Sequence, residues 1–301
     1  MDTVLKIENL TKHYGRVVAV ENLSLEVKRG NVFGILGPNG SGKTTTLGIL
    51  LDVINKTSGD FSWFGQPPTK AMRKRIGAIL ETPIFYPYLS AVKNLEIVAE
   101  IKGAPKENIE PVLKKVELFE RKDDKFRTYS LGMKQRLSIA SALICDPEVM
   151  ILDEPTNGLD PQGIAEIRDL IIQIAREGKT IILASHLLDE VQKVCSHFCV
   201  LKKGKLIYSG SVEDVSKGDI KVEVSTEGDE EQLVQLLENY ESVKKVKQEG
   251  KNSVVTLKEG ATATDLNAYL FSKGVTVSHL FTQRKSLEKQ FLEILAESDN
   301  A

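Results

Sequence analysis

Nine residues restrict this chain more than any others: Gly-Pro-Asn-Gly-Ser-Gly-Lys-Thr-Thr, Gly37 to Thr45. They fit the pattern G-x-x-x-x-G-K-[ST], with the apolar run Val32–Leu36 before them and a helix-forming stretch from Lys43 to Leu51 after them. A buried strand, a glycine-rich turn and a helix in that order point to an α/β sheet. The glycines let successive backbone N–H groups turn inward around phosphate oxygens, and the helix N-terminus adds a potential that favours an anion. Gly37, Pro38, Asn39, Gly40, Ser41, Gly42, Lys43, Thr44 and Thr45 are therefore candidate nucleotide-binding residues. Lys43 can reach the β- and γ-phosphates, and the Thr44 hydroxyl can bind Mg²⁺. The competing reading, an accidental glycine-rich turn, does not explain the ordered strand and helix on either side.

Two further apolar runs, Val149–Leu152 and Thr180–Ala184, read as buried parallel strands, because strands covered on both faces lose the alternation of half-exposed ones. The first delivers Asp153 and Glu154 at its C-terminal end, where open α/β sheets bind ligands. Asp153 suits a Mg²⁺ contact and Glu154 suits general-base or water-orienting work beside a γ-phosphate. The second run leads to His186, which falls at the same sheet edge and is assigned a γ-phosphate contact. Between them, Asp160-Pro161 opens a helix with Asp as N-cap and Pro at N1, and Gly178 is placed to end it. Residues 90–145 read as a helical insertion, and Phe198–Tyr208 as a hairpin bent at Lys203-Gly204.

At 301 residues the chain has room for two domains. Its 41% hydrophobic and 27% charged residues fit a soluble globular protein. The net charge of −2 argues against nucleic acid as a partner. Charge is uneven: residues 219–301 carry 10 Lys and Arg against 15 Asp and Glu, a net of −5, which leaves +3 for residues 1–218. Three cysteines without a CxxC pair fit a reducing compartment, and Cys195 and Cys199, with His197 between them, read as part of an apolar strand rather than as metal ligands. The N-terminus has no signal-peptide pattern and no apolar run approaches a membrane span, so any membrane part belongs to another chain. Small polar residues at Ser209–Gly218 mark a boundary. Beyond it the order β-α-β-β-α-β, then a last helix over residues 286–297, predicts a small ferredoxin-like α+β domain at 218–301 after an α/β domain at 1–217.

Taken in order, these motifs resemble those of the nucleotide-binding subunit of ABC transporters, over roughly residues 3–210. Tyr14, in Lys-His-Tyr-Gly, falls where that family stacks an aromatic ring on adenine. Tyr129 to Arg136 (YSLGMKQR) occupies the place of the family signature, and Asn157 to Asp160 (NGLD) resembles the loop that crosses to the partner subunit. The resemblance implies a P-loop ATPase that uses ATP and Mg²⁺. Two copies would close head to tail, each sandwiching ATP between one phosphate loop and the other copy's Ser130 and Gly132, with Asp160 nearby. Such a dimer would drive separate integral-membrane permease subunits from the cytoplasmic, inner face of the cell membrane. Where the usual signature is Leu-Ser-Gly-Gly-Gln, this chain reads Tyr129-Ser130-Leu131-Gly132-Met133: Ser130 and the second glycine remain, while Leu131 replaces a glycine and Met133 a glutamine.

Glu81 stands where the family usually has a glutamine that reaches Mg²⁺ and the attacking water, so it joins Thr44 and Asp153 as a candidate metal contact and Glu154 and His186 as a candidate catalytic residue. The acid also resembles the ATPase subunits of exporters that protect bacteria from bacitracin or lantibiotic peptides. Phe85, Tyr86 and Tyr88, just after it, are expected to offer apolar area to the permease, or else to pack under the helical insertion. A soluble ABC-type ATPase acting on ribosomes or DNA is the alternative, disfavoured by the single phosphate loop and the near-neutral charge.

Overall fold

The computed structural model describes residues 2–80, 84–216, 220–249, 252–258 and 260–284. The chain divides into two compact units, Met1–Val212 and Glu213–Ala301.

The first unit opens with two long strands, β1 (Thr3–Tyr14) and β2 (Val17–Lys28), followed by β3 (Val32–Leu36) and helix α1 (Lys43–Leu50). Next come β4 (Ser58–Trp63), the short α2 (Lys70–Arg73) and β5 (Ile76–Ile79). Three helices follow: α3 (Ala91–Lys102), α4 (Ile109–Lys115) and α5 (Leu131–Leu143). The unit then alternates through β6 (Val149–Asp153), α6 (Pro161–Arg176), β7 (Thr180–Ser185), α7 (Leu188–Val194), β8 (His197–Lys202) and β9 (Lys205–Ser211), and α8 (Val212–Ser216) leads out of it.

Six strands form one sheet in the order β5-β6-β7-β3-β8-β9, parallel except for β9. Every residue of β3, β6 and β7 is buried, which is why their sequences are unbroken apolar runs. β7 lies between β3 and β6, so the C-terminal ends of all three meet at one edge. That edge receives the Gly37–Thr45 loop from β3, Asp153 and Glu154 from β6, and His186 from β7.

A second, antiparallel sheet has the order β2-β1-β4. Its two long strands each kink at an asparagine with positive φ, Asn9 at 50° and Asn22 at 48°. The kinks interlock: the Asn9 N–H donates to Ser24 Oγ at 2.8 Å, and the Asn22 N–H to Thr11 Oγ1 at 3.0 Å. One core joins both sheets around α1, with Leu5, Ile7, Leu23 and Trp63 packed alongside Phe33, Ile35, Leu47 and Ile182. The seam is tied by charge as well. Glu148 accepts from Arg29 at 2.8 Å and from Arg75, whose guanidinium stacks 3.6 Å from the centre of the Phe64 ring.

Helix ends follow the sequence closely. Asp160 caps α6 by accepting from the Gly163 N–H at 3.0 Å, and Gly178 takes φ +89° just beyond its end. Ser130 caps α5 by accepting from the Met133 N–H at 3.2 Å, and Leu137, Ala140 and Leu143 are buried. α5 packs so closely on β5 that a Cβ at Gly77 would lie 2.3 Å from the Ala142 carbonyl oxygen, so only glycine fits there without a shift of the helix.

The second unit contains β10 (Ile220–Thr226), α9 (Glu230–Glu238), β11 (Val243–Glu249), β12 (Asn252–Leu257), α10 (Ala263–Ser272) and β13 (Val277–Arg284). The strands form one antiparallel sheet in the order β11-β12-β10-β13. Val222, Val224, Val255 and Leu257 from the strands and Leu233, Leu237, Leu266 and Leu270 from the helices make a separate core. Thr262 and Asp265 form a reciprocal capping box at the start of α10. The expected last helix, residues 286–297, lies outside the described residues.

Candidate nucleotide site

The phosphate loop is shaped by close backbone approaches. Gly42 adopts φ +105°, and a Cβ on it would lie 2.5 Å from the Ala19 carbonyl oxygen; one at Gly37 would meet the Leu201 carbonyl oxygen at 2.3 Å. Lys43 is only 6% exposed. Its ammonium donates to the Gly37 carbonyl at 2.8 Å and the Pro38 carbonyl at 3.3 Å, and lies 3.3 Å from Glu154 Oε1. The Thr44 hydroxyl donates to Asp153 Oδ2 at 2.7 Å. Glu154 sits at φ +48°, a left-handed conformation that turns its carboxylate out of the strand direction, and its N–H donates to the Ala184 carbonyl at 3.0 Å. The far oxygen of Glu154 lies 2.8 Å from His186 Nδ1.

Lys43, Thr44, Asp153, Glu154 and His186 are thus joined into one site by hydrogen bonds and ion pairs, delivered from the ends of three separate strands. The buried Ser41 Oγ has no hydrogen-bond partner among the described residues, which suits a position at a phosphate. A hydroxyl and a buried carboxylate side by side are hard oxygen donors of the kind Mg²⁺ takes. Among the described residues no group of three His, Cys, Asp or Glu could hold a metal ion.

Tyr14 lies at the exposed end of β1, opposite Val17 on β2, and Ala19 of the same hairpin touches Gly42. The Lys12 ammonium sits 4.7 Å from the centre of the Tyr14 ring. Ser130, Gly132 and Asp160 are brought together elsewhere. They line a depression of about 460 Å³ with Leu131, Gly158 and Gln162, and none of Gly37 to Thr45, Asp153, Glu154 or His186 lines it. Leu131 partly fills the space above Gly158: a Cβ on that glycine, at φ +76°, would be 3.3 Å from a Leu131 methyl.

Glu81 lies outside the described residues. Of the aromatics that follow it, one packs inward and two are exposed. Phe85 packs edge-on against Phe126 at 5.1 Å, whereas Tyr86 and Tyr88 are exposed, as is Ile84 at 96%. Sequence reasoning missed the residue that shapes this segment, Asn94. It is buried, accepts from the Tyr86 N–H at 2.8 Å and donates to the carbonyls of Tyr86 and Ser90. An asparagine among the apolar positions of α3 was the available signal. Cys195 and Cys199 are buried, and burial pushes the Cys199 thiol up to about 12.

A parallel sheet with a phosphate loop after one strand and a carboxylate pair after its neighbour but one defines a P-loop nucleotide hydrolase. The comparisons narrow this further. The ABC transporter family model matches residues 20–157. The uncharacterized ABC transporter ATP-binding protein YhcH of Bacillus subtilis (strain 168) is 40% identical over 308 residues, spanning 99% of this chain and 98% of that protein. The bacitracin transport ATP-binding protein BcrA of Bacillus licheniformis is 37% identical over 300 residues, 98% of each. Among solved structures, cbiO1 from Clostridium perfringens superposes with a TM-score of 0.66 at 31% identity, covering 71% of this chain and 91% of that one. The chain belongs to the ABC transporter ATP-binding proteins, a family of ATPases.

Proposed function

We propose that this chain binds Mg²⁺-ATP in the Lys43–Glu154–His186 site, hydrolyses it as a head-to-tail homodimer, and powers a separate integral-membrane permease that exports its substrate. In this reading Glu154 takes the proton of the attacking water, and His186, 2.8 Å from its carboxylate, orients it. Lys43 and the backbone N–H groups of Gly40 to Thr45 hold the phosphates, while Tyr14 stacks on the base. Thr44, Asp153 and Glu81 would hold Mg²⁺, whose charge would offset that of the phosphates. Ser130, Gly132 and Asp160 serve the nucleotide of the partner copy, which agrees with their lining a depression apart from the phosphate loop.

Ile84, Tyr86 and Tyr88 offer exposed apolar area to the permease. No described helix is long and apolar enough to cross a membrane. Through its permease, the reading puts the chain peripherally on the inner face of the cell membrane. Export of a peptide antibiotic is favoured by the full-length similarity to a protein named for bacitracin transport. The unit at 218–301 is read as a ferredoxin-like accessory domain that regulates the ATPase, helps to pair two subunits or braces the ATPase domain, supported by its β-α-β-β-α-β order and separate core.

The observation that carries the catalytic reading is Glu154, held between Lys43 and His186 at the end of a fully buried strand. Glu154→Gln keeps the size and removes the base. ATP turnover should fall about a hundredfold or more while ATP binding persists. Equal turnover by variant and wild type would remove Glu154 from the chemistry.

A further inference from the structure

We propose that a cationic cleft between α2 and the end of α3 binds the phosphate of acidic phospholipid headgroups, so that this subunit touches the membrane surface itself. Lys70, Arg73 and Lys74 lie three and four residues apart and therefore share one side of the α2 turn. Lys102, the last residue of α3, faces them across a depression of about 190 Å³. Its ammonium donates to the Ser141 carbonyl at 2.8 Å, and burial lowers its pKa. The Lys74 ammonium is 3.8 Å from where a Cβ on Gly103 would stand, at the carbonyl end of α3.

Among the described residues no acid lines this cleft. Arg73 has a carboxylate partner, Asp52 at 2.7 Å. Among the described residues no carboxylate lies within ion-pair distance of Lys70, Lys74 or Lys102. The helix carbonyl end accounts for one cation there, not for four around one hollow. Like charges held together at a partly buried site repel, and an anion with several acceptor oxygens relieves that repulsion. The whole chain carries a net charge of −2, so this attraction is local rather than general.

The apolar part of the lining argues for a lipid rather than a free phosphate. Ile76 and Ala142 form the floor, and Ile101 stands at the rim 79% exposed. The aliphatic stems of the lysines extend that apolar surface. A headgroup seated on the cations brings its glycerol and upper acyl carbons against Ile101, whereas inorganic phosphate leaves it in water. Polybasic surfaces beside acidic leaflets gain affinity in this way.

The test is co-sedimentation of the full chain with vesicles of phosphatidylcholine alone and with vesicles that also contain phosphatidylglycerol. Wild type should pellet with the acidic vesicles and not with the neutral ones. K70Q/K74Q should weaken that binding about thirtyfold, since each ammonium near an acidic surface contributes about a factor of five. K245Q/K247Q removes the same charge from exposed positions on β11 and should bind like wild type. Ile101→Asp, which leaves α2 untouched, should also weaken binding, so the outcome does not depend on how α2 tolerates substitution. Equal losses from the two lysine pairs, failure of wild type to pellet, equal pelleting with neutral vesicles, or unchanged binding by Ile101→Asp would each overturn the proposal.

Discussion

Glu148 offers the most quantitative test of how the first unit is held together. It accepts hydrogen bonds from Arg29, at the end of β2, and from Arg75, just before β5, and so spans the two sheets. Those two guanidinium groups hold its carboxyl well down, from 4.5 to about 2, with the Arg75 hydrogen bond the larger cause. Taken without screening, that depression corresponds to roughly 3 kcal/mol. The Glu148 side chain is 38% exposed. Solvent screening at that exposure reduces the contribution to about 1 kcal/mol.

The sign follows from the lowered folded-state pKa. The contribution is fully present above the unfolded value of 4.5 and is lost as pH falls towards 2. Glu148→Gln removes the charge and keeps an acceptor. At pH 7 the variant should be about 1 kcal/mol less stable than wild type, and the gap should close as pH falls from 4.5 towards 2. The readout is local. Trp63 is the chain's single tryptophan, fully buried, and its ring lies 6.3 Å from that of Phe64, on which Arg75 stacks. Denaturant unfolding followed by its fluorescence therefore reports on the first unit. A stability gap that stays constant from pH 7 down to pH 3 would refute the assignment of the effect to this carboxylate.

Two other substitutions probe the site and its support. Gly77→Ala places a methyl 2.3 Å from the Ala142 carbonyl oxygen, so α5 must move; about 1–3 kcal/mol should be lost in Trp63-monitored unfolding, and kcat should fall more than ATP affinity because Ser130 begins that helix. Unchanged stability and kcat would show that α5 accommodates the methyl. Glu81→Gln exchanges a charged oxygen ligand for an amide, and should raise the Mg²⁺ concentration for half-maximal ATPase activity; equal half-saturation would exclude Glu81 from the metal.

The parts of the fold that were legible are those in which local sequence and burial agree. β3, β6 and β7 are buried on both faces and read as continuous apolar runs, and Asp160-Pro161 started a helix where it was expected. The antiparallel sheet was missed because its strands alternate imperfectly. The segments Ile7-Glu8-Asn9-Leu10 and Val20-Glu21-Asn22-Leu23 look like polar loops, yet each is a strand kinked at its asparagine, with Leu10 paired to Leu23 across the kinks. At the site, residue types marked the candidates, but the Lys43–Glu154–His186 contacts join positions more than thirty residues apart, which no local pattern encodes. The Arg29–Glu148–Arg75 link was invisible for the same reason. The contact between Leu131 and Gly158 could not be read either, since it depends on the start of α5 meeting the turn before α6 in space.

The separation of the phosphate loop from the Ser130–Asp160 depression has a genetic consequence in the proposed dimer. A lesion at Lys43 and a lesion at Ser130 damage opposite halves of a composite site. Two copies of either mutant chain cripple both sites. When the two mutants are mixed, one site collects both defects and the other is built wholly from sound halves. Two inactive alleles should then restore activity to each other when co-expressed, and two alleles damaged in the same half should not.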